Sequence, residues 1–189
     1  QNLARIGPLF PRTTIKILHS TGSYPLYAAN RELARVSNLM KRKKIYYAPK
    51  RICDTVYFKH SLEIANVCSL HGNAHTINTF PVEYRDKITL IPVTYSLSVQ
   101  KELNQPLGDE YLWFYGAGSV HKGLDILLDL FSQNQNYKLN IVGNVDYETD
   151  FMQIYKDEMN NLPNIKYHGF IDPLSDQFKQ IIQRCFAFI

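Results

Sequence analysis

Residues 111–130 read YLWFYGAGSVHKGLDILLDL, and this stretch decides the fold. YLWFY predicts a buried β-strand. Gly116, Gly118 and Lys122 follow in a turn, after which Leu124, Leu127, Leu128 and Phe131 fall at helical spacing on one apolar face. A strand whose carboxyl end runs into a glycine-containing turn and a helix start is where open α/β sheets bind phosphorylated ligands. First-turn N–H groups lack intrahelical partners, and the helix dipole favours an anion. Gly116 and Gly118 permit close approach of backbone to ligand and Lys122 adds an ammonium, which makes a candidate diphosphate cradle. The spacing is not G-x-x-x-x-G-K-[ST], because Gly123 follows Lys122. Nor is it G-x-G-x-x-G, because His121 takes the last glycine position. A plain strand-to-helix turn with an exposed lysine fits the same letters.

Downstream, 138–142 (KLNIV) predicts a second strand reaching Gly143 and Asn144. Residues 149–162 predict a helix with Phe151, Ile154, Tyr155 and Met159 inward. A third strand at 165–168 exits through Gly169, Phe170 and Ile171. Asp172 and Pro173 supply an N-cap and first-turn proline for a helix carrying Phe178, Ile181 and Ile182. CFAFI at 185–189 predicts a fourth strand. A buried parallel strand ordinarily leads into a covering helix, and the first residue is not Met, so the sequence is expected to be shorter than the natural domain.

Upstream, TIKIL at 14–18 predicts a strand ending at His19, followed by Ser20, Thr21, Gly22 and Ser23. Polar residues just past a strand's carboxyl end commonly line a ligand crevice, so His19 is either a proton-transfer residue or a loop histidine bonded to backbone. Residues 26–41 predict a helix with Ala29, Leu33, Val36 and Met40 on its inner face. Short strands are expected at 45–48 and 55–58, and further strands at 64–70 and 88–93, with a polar turn at 71–76 and a short helix to Phe80. The polar stretch 96–110, with Pro106 and Gly108, predicts a linker. Strand, turn and helix recur throughout, which predicts an α/β protein.

The net charge of +4 is unevenly spread. Residues 31–51 hold Arg31, Arg35, Lys41, Arg42, Lys43, Lys44, Lys50 and Arg51 against the single acid Glu32, whereas 11 acids face 6 bases from Asp109 onward. The basic segment is either a solvated helix end complementing the dipole or a surface for anionic lipid or an acidic acceptor. A nucleic-acid surface is the third reading and the least expected, because the Lys41–Lys44 run lacks interleaved aromatic residues and matches no nucleic-acid motif. Cys53, Cys68 and Cys185 are too scattered for a disulfide framework or a C-x-x-C site. Gly72 between His71 and His75, with no acid or cysteine nearby, argues against a metal there. No apolar run approaches membrane-spanning length.

The ordered set WFYGAGSVHKGLDILLDLF, KLNIVGN, NLPNIKYHGFID and CFAFI resembles the donor-binding domain of retaining glycosyltransferases of the two-Rossmann-domain (GT-B) class, family-4 type. IKILHSTG, IANVCSLHGN and ITLIPV are similar to the second half of that class's acceptor domain. The resemblance implies two incomplete Rossmann-like parallel sheets: an acceptor-side domain at 1–100, a linker at 101–110 and a donor domain at 111–189. It implies transfer of a sugar from a UDP- or GDP-sugar to a saccharide or lipid-linked acceptor with retention of configuration. No metal and no tightly bound cofactor is implied, and the expected setting is the cytoplasm, at the inner face of a membrane. Lys122 would neutralise the diphosphate above Gly116 and Gly118, Gly143 and Asn144 would border the donor cleft, and Phe170 and Ile171 would flank the nucleobase. His19 is the candidate match to the class's acceptor-domain histidine.

Ala117 stands where the family often has arginine, and the family's PS-x-S-E-G segment, expected after CFAFI, is not in this sequence. The chain alone is therefore expected to be a weak or inactive catalyst. Two rivals remain: a nicotinamide-dependent enzyme, for which Gly143-Asn144 supplies neither the third glycine nor the acid, and a non-catalytic nucleotide-binding or scaffold domain.

Overall fold

A computed structural model describes residues 2–93, 108–116 and 118–189. Among them the elements are α1 (Asn2–Ile6), β1 (Ile17–Ser20), α2 (Pro25–Lys43), α3 (Thr55–Ile64), β2 (Val67–His71), α4 (Ala74–Ile77) and β3 (Ile88–Ile91). Then come β4 (Glu110–Tyr115), α5 (Leu124–Gln133), β5 (Lys138–Gly143), α6 (Thr149–Ile154), α7 (Lys156–Asn161), β6 (Ile165–Tyr167), α8 (Asp176–Arg184) and β7 (Cys185–Phe188). The fold is α/β, with two separate parallel sheets flanked by helices, a coarse Rossmann-like arrangement. The chain divides into two compact units, Gln1–Ala34 with Pro49–Ser96 and Arg35–Ala48 with Leu97–Ile189. The expected linker at 101–110 falls mostly outside the described residues. No helix among the described residues is long and apolar enough to cross a membrane.

The first unit holds a three-stranded sheet, β1-β2-β3. Its core gathers Leu18, Tyr24, Leu62, Cys68, Leu70 and Phe80. The expected strand at 14–18 starts three residues later, because the Lys16 amide goes to the Asn66 side chain at 2.8 Å instead of entering the ladder. His19 thus lies inside β1, opposite Ser69, and not beyond its end. Residues 55–58 are helical: the Asp54 carboxylate accepts from the Val56 and Tyr57 amides at 2.9 and 3.0 Å, an N-cap that starts α3. Residues 45–48 form no strand, and Tyr47 among them enters the core of the second unit. On α2 Pro25, Ala29, Glu32, Val36 and Leu39 are buried, while Leu33 is exposed. The first-unit part of this face is closed by the Glu32 carboxylate, which accepts from the Lys50 amide at 3.3 Å.

In the second unit the sheet order is β6-β5-β4-β7. Both faces are covered, which explains the nearly continuous apolar strands. Trp113, Ile141, Leu124, Leu128, Phe131, Phe151 and Tyr155 pack on one face, and Leu112, Val142, Phe178 and Ile181 on the other. Each of these fully buried leucines contributes about 1.5–3 kcal/mol. The single helix expected over 149–162 is two, α6 and α7, on either side of Tyr155, whose backbone leaves helical values while its hydroxyl donates to the Asp125 carbonyl at 3.1 Å. Helix α8 begins not at Asp172-Pro173 but behind Ser175, whose hydroxyl accepts from the Phe178 amide. Asp172 instead closes the preceding turn by accepting from the Leu174 amide at 2.9 Å.

Candidate functional site

Taken in chain order, the strands of the second sheet lie third, second, first, fourth. The chain therefore steps from β4 out to β6 and then crosses back to place β7 on the other side of β4, and ligands of open α/β sheets bind at the carboxyl ends of strands beside such a reversal. Gly116 and residues 118–123 lie beyond that end of β4. They are longer than the sequence pattern suggests, because 118–123 form a turn of their own before α5 begins. The Lys122 amide donates to the Gly118 carbonyl at 2.9 Å, and the Leu124 amide to the Ser119 carbonyl at 2.9 Å. The Trp113 indole N–H, from the core beneath, donates to the Lys122 carbonyl at 3.2 Å and ties the turn to its strand.

Gly118 has φ 89°, in the left-handed region that favours glycine. Its amide donates to Glu148 Oε1 at 2.7 Å. The next amide, of Ser119, donates to Oε1 at 3.0 Å and Oε2 at 3.2 Å, and the Ser119 hydroxyl donates to Oε1 at 3.2 Å. Consecutive amides converging on one carboxylate form an anion-binding concavity. The Tyr47 hydroxyl completes the set, donating to Oε2 at 3.2 Å. Glu148 stands in the N-cap position of α6 yet makes no side-chain bond to that helix.

The Lys122 side chain is exposed, with its ammonium 4.2 Å from the centroid of the Tyr115 ring, a cation–π contact. Gly143 ends β5 beside Tyr115 and needs to be glycine: its φ is 155°, and a Cβ would meet the Tyr115 carbonyl oxygen at 1.8 Å. A Cβ on Gly116 would meet nothing within 4 Å. Asn144 follows, half-buried. Phe170 is exposed, whereas Ile171 is 5% exposed and belongs to the core cluster of Leu112, Val142 and Phe178. The Tyr167 hydroxyl, bonded to the Gly143 carbonyl at 3.1 Å, has its pKa pushed up to about 12, by burial first and then by Asp146.

Two bases of the segment, Arg42 and Lys43, have partners within the second unit. Arg42 pairs with Asp125 and Asp129 of α5. Lys43 pairs with Asp129 at 2.8 Å and Glu158 at 3.2 Å, with its ammonium 4.3 Å from the Tyr155 ring centroid. Burial works to lower the Lys43 pKa, but its bonds to Asp129 and Glu158 outweigh that and raise it. Arg35, Asn38 and Lys41 line a cavity of about 440 Å³ whose other wall includes Val120, Gly123 and Ile126.

His19 belongs to the first unit. Its ring is exposed, with Nδ1 3.0 Å from the Ser69 hydroxyl and the ring edge-on to that of His71, centroids 4.8 Å apart. Among the described residues no three or more His, Cys, Asp or Glu side chains gather as a metal site would require.

Glu148, Ser119 and Tyr47 were not legible as site residues. Glu148 sits in the run VDYETD, one of three acids with nothing in their spacing to single it out. No protein-family model matches this chain, and no curated protein sequence matches it significantly.

Proposed function

We propose that the second unit binds a nucleotide sugar and that the protein is a retaining glycosyltransferase of the GT-B class, acting on a saccharide or lipid-linked acceptor. The observation that carries this reading is the 118–123 turn past the carboxyl end of β4, with its convergent Gly118 and Ser119 amides and the Lys122 ammonium on the same turn. The fold is compatible with nucleotide binding in general, and the ordered motifs described above narrow it to this class.

In this reading the loop amides hold one phosphoryl group and Lys122 swings from the Tyr115 ring to the other. As the sugar–phosphate bond breaks, negative charge grows on the leaving diphosphate, and cations and amides already in place stabilise it without reorganising. Phe170, exposed beyond β6, offers a ring for the nucleobase, while Ile171 supports it from the core. His19, in the first unit, is the candidate to contact the acceptor, held by Ser69 and His71. The exposed Arg35 and Lys41 are the basic residues proposed to meet an anionic acceptor or the inner face of a membrane.

Calorimetric titration with UDP and GDP, beside Lys122→Ala, tests the reading. Saturable binding weakened about tenfold or more in the variant supports it; equal affinity in both forms contradicts the role of Lys122. A second reading, a non-catalytic Rossmann-like scaffold, is favoured by the Glu148 carboxylate already filling the amide cradle, and it predicts no nucleotide binding at all.

A further inference from the structure

The Glu148 carboxylate takes four hydrogen-bond contacts from Gly118 and Ser119 and one from Tyr47, over 2.7–3.2 Å. It sits in the N-cap position of α6, yet its side chain makes no capping bond to that helix and turns to the loop instead. The first turn of α6 is served instead by Asp150, which accepts from the Phe151 amide at 3.0 Å. Lys122 forms no ion pair among the described residues and rests on an aromatic face. The loop thus holds an anion on its amides and keeps a cation apart from it.

We propose that Glu148 is an internal anion occupying the phosphoryl site, so that a ligand's diphosphate binds by displacing it, and that Glu148 thereby sets the affinity of the site. The inference rests on the glycosyltransferase reading for the identity of the ligand, but the exchange itself requires only a phosphoryl group. A carboxylate and a phosphoryl group ask for the same donors, the Gly118 and Ser119 amides and the Ser119 hydroxyl, and cannot share them. Binding is weakened by the fraction of time the site stands open, since a ligand's apparent dissociation constant is its intrinsic one divided by the competent fraction. Removing the charge of Glu148 raises that fraction and also removes the repulsion between carboxylate and incoming phosphate. A purely structural Glu148, present only to brace the loop, would do neither.

The test uses calorimetry on the wild-type chain, Glu148→Gln and Glu148→Ala, with inorganic diphosphate and UDP as probes. Gln retains an accepting oxygen for the loop and loses the charge, so it separates bracing from occupation. The expected result is affinity for both probes at least tenfold tighter in Glu148→Gln than in wild type. Tighter inorganic diphosphate with no binding of UDP supports the exchange and contradicts the nucleotide-sugar reading. Equal affinities in wild type and Glu148→Gln overturn the exchange, while a loss of UDP affinity in Lys122→Ala would leave the nucleotide reading standing. No binding of either probe by any form overturns both. Should the variants fail to fold, the wild-type amide resonances decide: shifts at Gly118 and Ser119 with release of the Glu148 side chain on adding inorganic diphosphate support the exchange, and unmoved resonances overturn it.

Discussion

Replacing Arg42 by alanine should destabilise the second unit by about 2–3 kcal/mol at neutral pH. Arg42 closes α2 onto α5, where it pairs with Asp125 and Asp129 one helical turn apart. The two carboxylates differ in what they lose. Asp129, with its side chain 21% exposed, keeps Lys43 at 2.8 Å. Asp125, 4% exposed, loses its cation, and its other oxygen has no hydrogen-bond partner among the described residues. Breaking a buried pair from one side costs about 3–5 kcal/mol, and because Arg42 is itself 35% exposed, water entering its place reduces the cost.

The pH dependence follows from the sign of the Asp125 shift. Burial raises its carboxyl pKa despite the opposing charge and hydrogen bond of Arg42, so the ionised form is the costly one in the folded chain. A raised acid pKa gives a penalty that is absent below the unfolded value of about 3.9 and grows as pH rises through the folded value. Arg42→Ala raises the folded pKa further, so its cost should shrink between about pH 7 and pH 4. Trp113, the chain's one tryptophan and 2% exposed, lies in the second unit, so its fluorescence in urea reports on that unit. With a slope of about 2 kcal/mol per molar, the midpoint should fall by about 1 M at pH 7 and by clearly less at pH 4.5. A loss below about 0.5 kcal/mol at pH 7, or one of equal size at both pH values, would refute the reasoning.

The paired substitution Arg42→Met with Asp125→Leu should recover most of that loss in the same urea assay, because neither a buried charge nor an unpaired donor remains. Gly143→Ala should cost more than about 2 kcal/mol by urea midpoint, since the added Cβ meets backbone, whereas Gly116→Ala, with open space, should stay within about 0.5 kcal/mol. His168 bonds through Nε2 to Asn140 Oδ1 at 2.8 Å, and burial first, then Lys166 and Arg184, lowers its pKa. A depressed base contributes stability that is present above about pH 6.5 and lost as pH falls through its folded value. His168→Gln should therefore flatten the stability profile between pH 7 and pH 5.

The second sheet was legible because its strands are largely apolar and β4, β5 and β6 each lead to a glycine. Helix α5 announced itself through Leu124, Leu128 and Phe131. Asp125 could not be read as a buried member of that face, because its burial depends on Arg42, 83 residues away in sequence. Residues 55–58 looked like a strand from TVYF alone, and only the Asp54 cap, a local bond that the apolar pattern does not encode, makes them helical. In α2 the apolar letters fitted two adjacent faces, and tertiary packing selected Glu32 and Leu39 over Leu33, with Met40 partly buried against the core as expected. Glycines and lysine marked the candidate loop from sequence. Glu148 was invisible there, since 29–30 residues separate it from the amides it accepts.

The most direct test of the central claim is an amide-resolved NMR titration of the protein with UDP. The account predicts saturable shifts at Gly118, Ser119, Lys122, Gly143 and Asn144. Shifts confined to other parts of the chain, or none at all, would contradict a diphosphate site on the loop that follows β4.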